Sequence, residues 1–280
     1  MLVVALGSRT YRVARPFGSG PANSGHVTDV TATTDGRVLV MLRHDPLIHP
    51  QDDRVIELDP AGRYLRGWGG KDIADSHMMT AAPDGRILAV DRDMHEVVIF
   101  AADGCRTGSI GTRGGPLQPF NHPTDVALSP WGDIYVSDGY AASHIHRFSA
   151  DGQHIATWGT FGDGAGQFAE PHAIWALPDR RVAVVDRCNH RVQYFDAEGR
   201  FLMSVGGFRR PVAVWGDAKG CLYVTDETPG LTLLGPTGER MGRCRPVLNG
   251  AHGIWGTPVG VIYLAETNPS RITRLDPISA

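Results

Sequence analysis

Three histidines share one local setting. His77, His172 and His252 each head a short apolar run that closes in a tight turn, within SHMMTAAPDGR, EPHAIWALPDRR and AHGIWGTPVGV. A neutral imidazole offers one nitrogen lone pair. Three of them around an open fourth position describe a catalytic zinc site rather than a closed structural one. No cysteine shares these positions, so the thiolates that mark structural zinc are missing. The all-nitrogen donor set favours zinc over manganese or iron. Three further residues carry chemistry that such an ion could use: Arg43, Tyr140 and Arg187. A guanidinium suits a substrate carboxylate or a developing oxyanion. A phenol beside a cation and arginines can titrate low and act as a base.

The elements that would bring these residues together are repeats. Aligning the turn dipeptides gives VTDVTATTDGRVLVML, HMMTAAPDGRILAVD, TDVALSPWGDIYVSD, HAIWALPDRRVAVVD, VAVWGDAKGCLYVTD and HGIWGTPVGVIYLAE. Each reads as a strand, a tight turn and a second strand. A third strand follows in several units (RVIELD, EVVIFA, HIHRFS, RVQYFD, RITRLD), then a further turn and a fourth strand such as YLRGWG or HIATWG. Four antiparallel strands recurring at this spacing form one blade of a β-propeller. The spacing predicts an all-β fold, a six-bladed β-propeller forming a single domain over residues 1–280. The last unit lacks a fourth strand, and the N-terminal segment LVVALGSRTYRVAR is expected to supply it and close the ring.

Within this frame the histidines fall into one column. It holds Thr28, His77, Thr124, His172, Val212 and His252, so histidine occupies every second blade. The column starts the innermost strand, and alternate blades of a six-bladed ring stand about 120° apart. Three imidazoles are therefore expected to meet on the axis. The second strand ends in Leu42, Asp91, Asp138, Asp186, Asp226 and Glu266. These acids read as structural acceptors of backbone N–H groups. Arg43 follows Leu42, the one position of that column without an acid, and is expected to face the channel mouth without a partner. Tyr140 follows the small Gly139, which lets its ring turn toward the axis. Arg187 is either a second site arginine or the ion-pair partner of a neighbouring acid.

The segments GAGQFAEPHAI and DRCNHRVQYFDAEGRFL resemble an NHL repeat. More narrowly, NHPTDVALSPWGDIYVSDGYAASHIHRFSADGQHIATWG and GQFAEPHAIWALPDRRVAVVDR are similar to the peptidyl-α-hydroxyglycine α-amidating lyases, which form the second catalytic half of peptide-amidating enzymes. The resemblance implies an NHL-type propeller that holds one zinc ion through a histidine from each of three blades, matching His77, His172 and His252. It also implies an essential arginine at Arg43, a catalytic tyrosine at Tyr140 and a second active-site arginine at Arg187. The implied reaction cleaves the C–N bond of a carbinolamide into an amide and glyoxylate. Zinc would serve as a Lewis acid, Tyr140 or a metal-bound hydroxide as the base, Arg43 would stabilise developing charge and Arg187 could hold the substrate carboxylate. The family carries Met two places before its last zinc histidine and Asp directly after it, where this chain has Gly250 and Gly253. The missing aspartate argues against a structural calcium ion. The family's disulfides and its copper monooxygenase half are not reproduced.

Composition sets the outer bounds. The 280 residues carry a net charge of −3 and no basic stripe, which argues against nucleic acid as a partner. The opening MLVVALGSRTYR is too short for a signal peptide or a membrane span. Cys105, Cys188, Cys221 and Cys244 show no CxxC spacing, so they are expected as free thiols in a reducing, cytoplasmic setting. A small-molecule substrate bearing a carboxylate is the expected partner. Two other readings stand beside the amidating lyase: another metal-dependent lyase, hydratase or lactonase on the same scaffold, and a non-catalytic NHL platform. His44 and His49 lie in a long insertion, HDPLIHPQDD, that could cover the channel. His122, His144 and His146 fall outside the column and have no assignment.

Overall fold

Short β-branched and aromatic runs broken by turn residues leave the chain little choice but strands. The computed structural model describes residues 2–18 and 25–278 and, among them, contains strands and turns but no helix. No helix is therefore long and apolar enough to cross a membrane. The strands form the six blades read from the sequence. Blade 1 runs from His26–Ala32 through Val38–Arg43 and Val55–Leu58 to Tyr64–Trp68, and blade 2 from Ser76–Ala81 through Ile87–Asp91 and Glu96–Phe100 to Arg106–Ile110. Blade 3 spans Pro123–Leu128, Ile134–Asp138, His144–Phe148 and His154–Trp158; blade 4 spans Pro171–Ala176, Arg181–Asp186, Arg191–Asp196 and Phe201–Val205. Blade 5 spans Pro211–Gly216, Leu222–Asp226, Gly230–Leu234 and Arg240–Cys244.

Blade 6 closes the ring, and with one strand more than expected. Ala251–Gly256, Ile262–Glu266 and Arg271–Ile278 are joined by Arg9–Ala14 as the fourth strand and by Leu2–Leu6 as a fifth. The pairing sets Val13 opposite Leu275, so residues from the two ends of the chain lock one sheet. The innermost strand of every blade touches that of the next, including blade 6 against blade 1.

The core lies between blades, where each sheet buries its two faces. Leu39, Met41, Val55 and Trp68 of blade 1 pack on Met79, Ile87, Ala89, Val98 and Phe100 of blade 2. Phe100 is fully buried, and burying one such side chain contributes roughly 1.5–3 kcal/mol. The first turns also follow the sequence. Gly36, Gly85, Gly132, Gly220 and Gly260 take positive φ there, and in blade 4, where the turn reads PDRR, Arg180 adopts φ 68° instead. Sheets anchored in this way hold their inner strands at a common height around the axis.

Candidate metal centre

At the head of each innermost strand the ladder slips. The register to the second strand shifts at Val27/Asp29, Ser76/Met79, Pro123/Asp125, Pro171/Ala173, Pro211/Val214 and Ala251/Gly253. Each shift brackets one residue of the histidine column. A bulge re-aims the side chain at its extra residue, and here it turns the column toward the axis. The rings of His77, His172 and His252 form a nearly equilateral triangle, with centroids 4.9–5.1 Å apart. Their ligand atoms all lie within 4.8 Å of one another.

The other half of the column orients the first. The Nδ1–H of His77 donates to the carbonyl oxygen of Thr124, that of His172 to Val212 at 2.8 Å, and that of His252 to Thr28 at 2.9 Å. Each histidine is thus fixed by the column residue of the following blade. A carbonyl can only accept, so Nδ1 carries the proton and Nε2 presents a lone pair. The tautomer is set three times over by the same device. Burial first, then the neighbouring imidazoles and, after them, Arg43 and Arg187, holds His77 and His172 well below the ordinary histidine range; burial holds His252 at about 4. All three are therefore neutral donors at neutral pH.

This donor set fits a divalent cation. The Tyr140 hydroxyl lies 2.9 Å from Nε2 of His77 and 3.0 Å from Nε2 of His172. A phenol has one proton and can satisfy only one of these acceptors. His77 and His172 are fully buried, so one buried lone pair lacks a donor. Three convergent lone pairs with one proton between them match a tetrahedral ion with an open position. Tyr140 reaches the triad because of Gly139. A Cβ at Gly139 would stand 2.1 Å from the carbonyl oxygen of Pro171 in blade 4, an approach only glycine permits.

The arginines differ from expectation. Arg43 is not unpartnered. Its Nε donates to the Ser76 carbonyl at 3.0 Å and pairs with Asp75 at 2.9 Å. Asp75 sits in the lead-in to blade 2, outside the repeat register. Nη2 of Arg43 is nevertheless buried without an acceptor, so one donor of this guanidinium remains available. Arg187 has both ends committed, Nη1 to Glu170 and Nη2 to Glu227 at 2.8 Å. The ion-pair alternative holds for it, and a fork so occupied is poorly placed to clasp a substrate carboxylate. Sequence reasoning passed over Arg92, although it shares a column with Arg43 and Arg187. Arg92 pairs with Asp75 at 2.7 Å and stacks 5.3 Å from the Tyr140 ring centre. Burial raises the Tyr140 phenol above its ordinary value, and the pull of Arg187, Arg43 and Arg92 does not outweigh it.

Around the triad the acid column behaves as read. Asp91 accepts from the N–H groups of Ala74 and Asp75, and Asp186 from Ala169. The insertion after Arg43 is pinned rather than free: fully buried Arg54 donates to the carbonyls of His49, Asp52 and Ile73. Beside Tyr140 a cleft of about 620 Å³ is lined by Ser143, Phe161, Glu170 and Cys188, among others. All four cysteines are free thiols.

Comparison with known proteins agrees with this architecture. Residues 168–195 match the NHL repeat. The chain is 29% identical over 258 residues, 82% of its length, to peptidyl-glycine alpha-amidating monooxygenase A of Xenopus laevis. It is 34% identical over 160 residues, 52% of its length, to peptidyl-alpha-hydroxyglycine alpha-amidating lyase 1 of Drosophila melanogaster. The matches span 28% and 30% of those relatives' own lengths. Among solved structures, a streptogramin B lyase superposes with a TM-score of 0.70 at 15% identity, covering 96% of this chain and 98% of that one, a likeness of fold. The chain is thus a six-bladed β-propeller that carries an NHL repeat and is homologous to the peptidyl-α-hydroxyglycine α-amidating lyases.

Proposed function

We propose that this protein is a zinc-dependent lyase that cleaves a carbinolamide of the α-hydroxyglycine type, R–CO–NH–CH(OH)–COO⁻, into an amide and glyoxylate. The observation that carries the reading is the meeting of three neutral, carbonyl-oriented Nε2 atoms with the hydroxyl of Tyr140. His77, His172 and His252 would hold the ion. A divalent cation there supplies Lewis acidity and a positive field that favours loss of a proton from a bound hydroxyl and from the neighbouring phenol.

Tyr140, as phenolate, takes the substrate's hydroxyl proton. The freed electron pair forms the C=O bond of glyoxylate, the C–N bond breaks, and Tyr140 returns the proton to the departing amide nitrogen. Atoms and charge balance without a further reagent. Arg43 turns its free Nη2 toward the substrate carboxylate or the developing oxyanion. Arg187, held by Glu170 and Glu227, contributes field rather than a clasp, and Arg92 steadies the Tyr140 ring from its face. The cleft beside Tyr140 receives the acyl side. A cytoplasmic, reducing setting belongs to the same reading and is supported by four free thiols.

The test is His172→Ala. Metal content at the triad and turnover of an N-acyl α-hydroxyglycine should fall together; retention of both would overturn the proposal. Parallel assays on lactones and simple hydroxy acids decide the substrate class, since turnover of those alone would assign a different lyase, hydratase or lactonase.

A further inference from the structure

The repeats act as controls for one another. Four of the five acids that end a second strand are neutralised by an arginine: Asp91 by Arg113 at 3.2 Å, Asp186 by Arg191 at 2.8 Å, Asp226 by Arg243 at 2.7 Å and Glu266 by Arg271 at 2.8 Å. Asp138 of blade 3 has no arginine partner among the described residues. Directly across the ladder from it stands His144, where blades 4 and 6 place Arg191 and Arg271. His146 lies two residues on and so projects from the same face. Its counterpart in blade 4 is Gln193, whose amide donates to Asp186 at 3.1 Å. In blade 4 the carboxylate is surrounded by donors; in blade 3 those donors have become two imidazoles.

The consequence is a buried carboxylate oxygen and a buried imidazole nitrogen that each lack a hydrogen-bond partner. Asp138 is fully buried and His146 is 3% exposed. Asp138 Oδ2 accepts from the Asn121 N–H at 2.7 Å, but Oδ1 has no partner. His146 Nδ1 is engaged by the Thr157 hydroxyl at 2.9 Å, and its Nε2 has no partner either. Nε2 stands 3.5 Å from Asp138 Oδ2. An N–H···O hydrogen bond normally spans about 2.7–3.2 Å. Two donors bonded to one tetrahedral ion at about 2.1 Å are separated by roughly 3.4 Å. The spacing therefore suits an ion better than a proton. Donor atoms of Asp138, His144 and His146 lie within 4.8 Å of one another, and His144 also lines the cleft beside Tyr140, which gives an ion an entry route and open positions.

We propose that Asp138, His144 and His146 form a second metal site, for a divalent first-row transition ion, distinct from the axial triad. Its two-nitrogen, one-oxygen donor set suits zinc and its neighbours rather than calcium or magnesium.

Co²⁺ is the probe, added to the full chain and followed by equilibrium dialysis and visible absorption. In the His172→Ala, His252→Ala background, one Co²⁺ per chain should still bind saturably. Adding His144→Arg with His146→Gln, which copies the blade 4 arrangement and so supplies the donors Asp138 lacks, should remove that ion while leaving a cooperative thermal transition. In the otherwise unmodified chain the same pair of substitutions should lower the count by one, so the result does not depend on the triad. No saturable binding in the background protein, or an unchanged count after the blade 4 substitutions in a folded protein, would overturn the second site.

Discussion

Gly139→Ala tests how closely the position of Tyr140 governs activity. The new Cβ would meet the Pro171 carbonyl oxygen at 2.1 Å. A carbon–oxygen contact normally requires about 3.3 Å, so the strand end of blade 3 and the inner strand of blade 4 must part by roughly 1 Å. Tyr140 is the next residue, and its hydroxyl now stands 2.9 and 3.0 Å from two Nε2 atoms. A displacement of that size along either contact takes it out of hydrogen-bonding range. Misplacement of a catalytic group by about 1 Å costs roughly 10²-fold in rate, and forcing a methyl into a filled space costs about 1–3 kcal/mol of stability. The variant should therefore fold with a lowered Tm, retain the triad ion, and lose about two orders of magnitude in kcat on an N-acyl α-hydroxyglycine. A folded, metal-replete Gly139→Ala protein with undiminished kcat would refute the reasoning, because the phenol would then not need its present place.

Two further predictions follow from the same geometry. Tyr140→Phe removes the proton carrier but no metal ligand; kcat should fall by roughly 10²–10⁴-fold with metal content unchanged, as steady-state kinetics and elemental analysis together would show. Asp125 governs a pH effect. It is buried, and burial raises its carboxyl to about 7 despite N–H bonds from Ile174 and Val126. A folded value above the unfolded value of about 3.9 means that the native state holds this proton more tightly between those limits. Its stabilising contribution is complete below pH 4 and is lost as pH rises through 7. Denaturant unfolding of the metal-free protein at pH 5 and pH 8 should show a decline of a few kcal/mol beyond that of Asp125→Asn, and parallel behaviour of the two proteins would count against it.

What could be read from the sequence was whatever the turns put in register. DG, PDG and WGD pairs fix the distance back to the inner strand, so the alternation of Thr28, His77, Thr124, His172, Val212 and His252 was visible, and with it the triad. The bulge that aims those residues inward was not visible, since a register slip leaves no mark in residue types. Nor was the role of the intervening blades. Thr28, Thr124 and Val212 contribute backbone carbonyls, which every residue possesses. Asp75, the partner of Arg43, lies in a lead-in rather than in the repeat, so alignment of the blades could not reveal it. Arg92 stands in the aligned column, but the groups that tie it to the site, Asp75 in the lead-in and the ring of Tyr140 from the next blade, lie outside its own repeat. The HIH run of blade 3 carries no mark in the alignment either, because only blades 4 and 6 place an arginine directly across from the acid, while Asp91 and Asp226 take Arg113 and Arg243 from other positions.

The central claim is that the three imidazoles share one ion, and anomalous diffraction from crystals of the protein as purified, collected on both sides of the zinc edge, tests it most directly. The account predicts an edge-dependent peak about 2.0–2.1 Å from Nε2 of His77, His172 and His252 together. Well-ordered rings with no peak between them, bridged only by the Tyr140 hydroxyl, would contradict it.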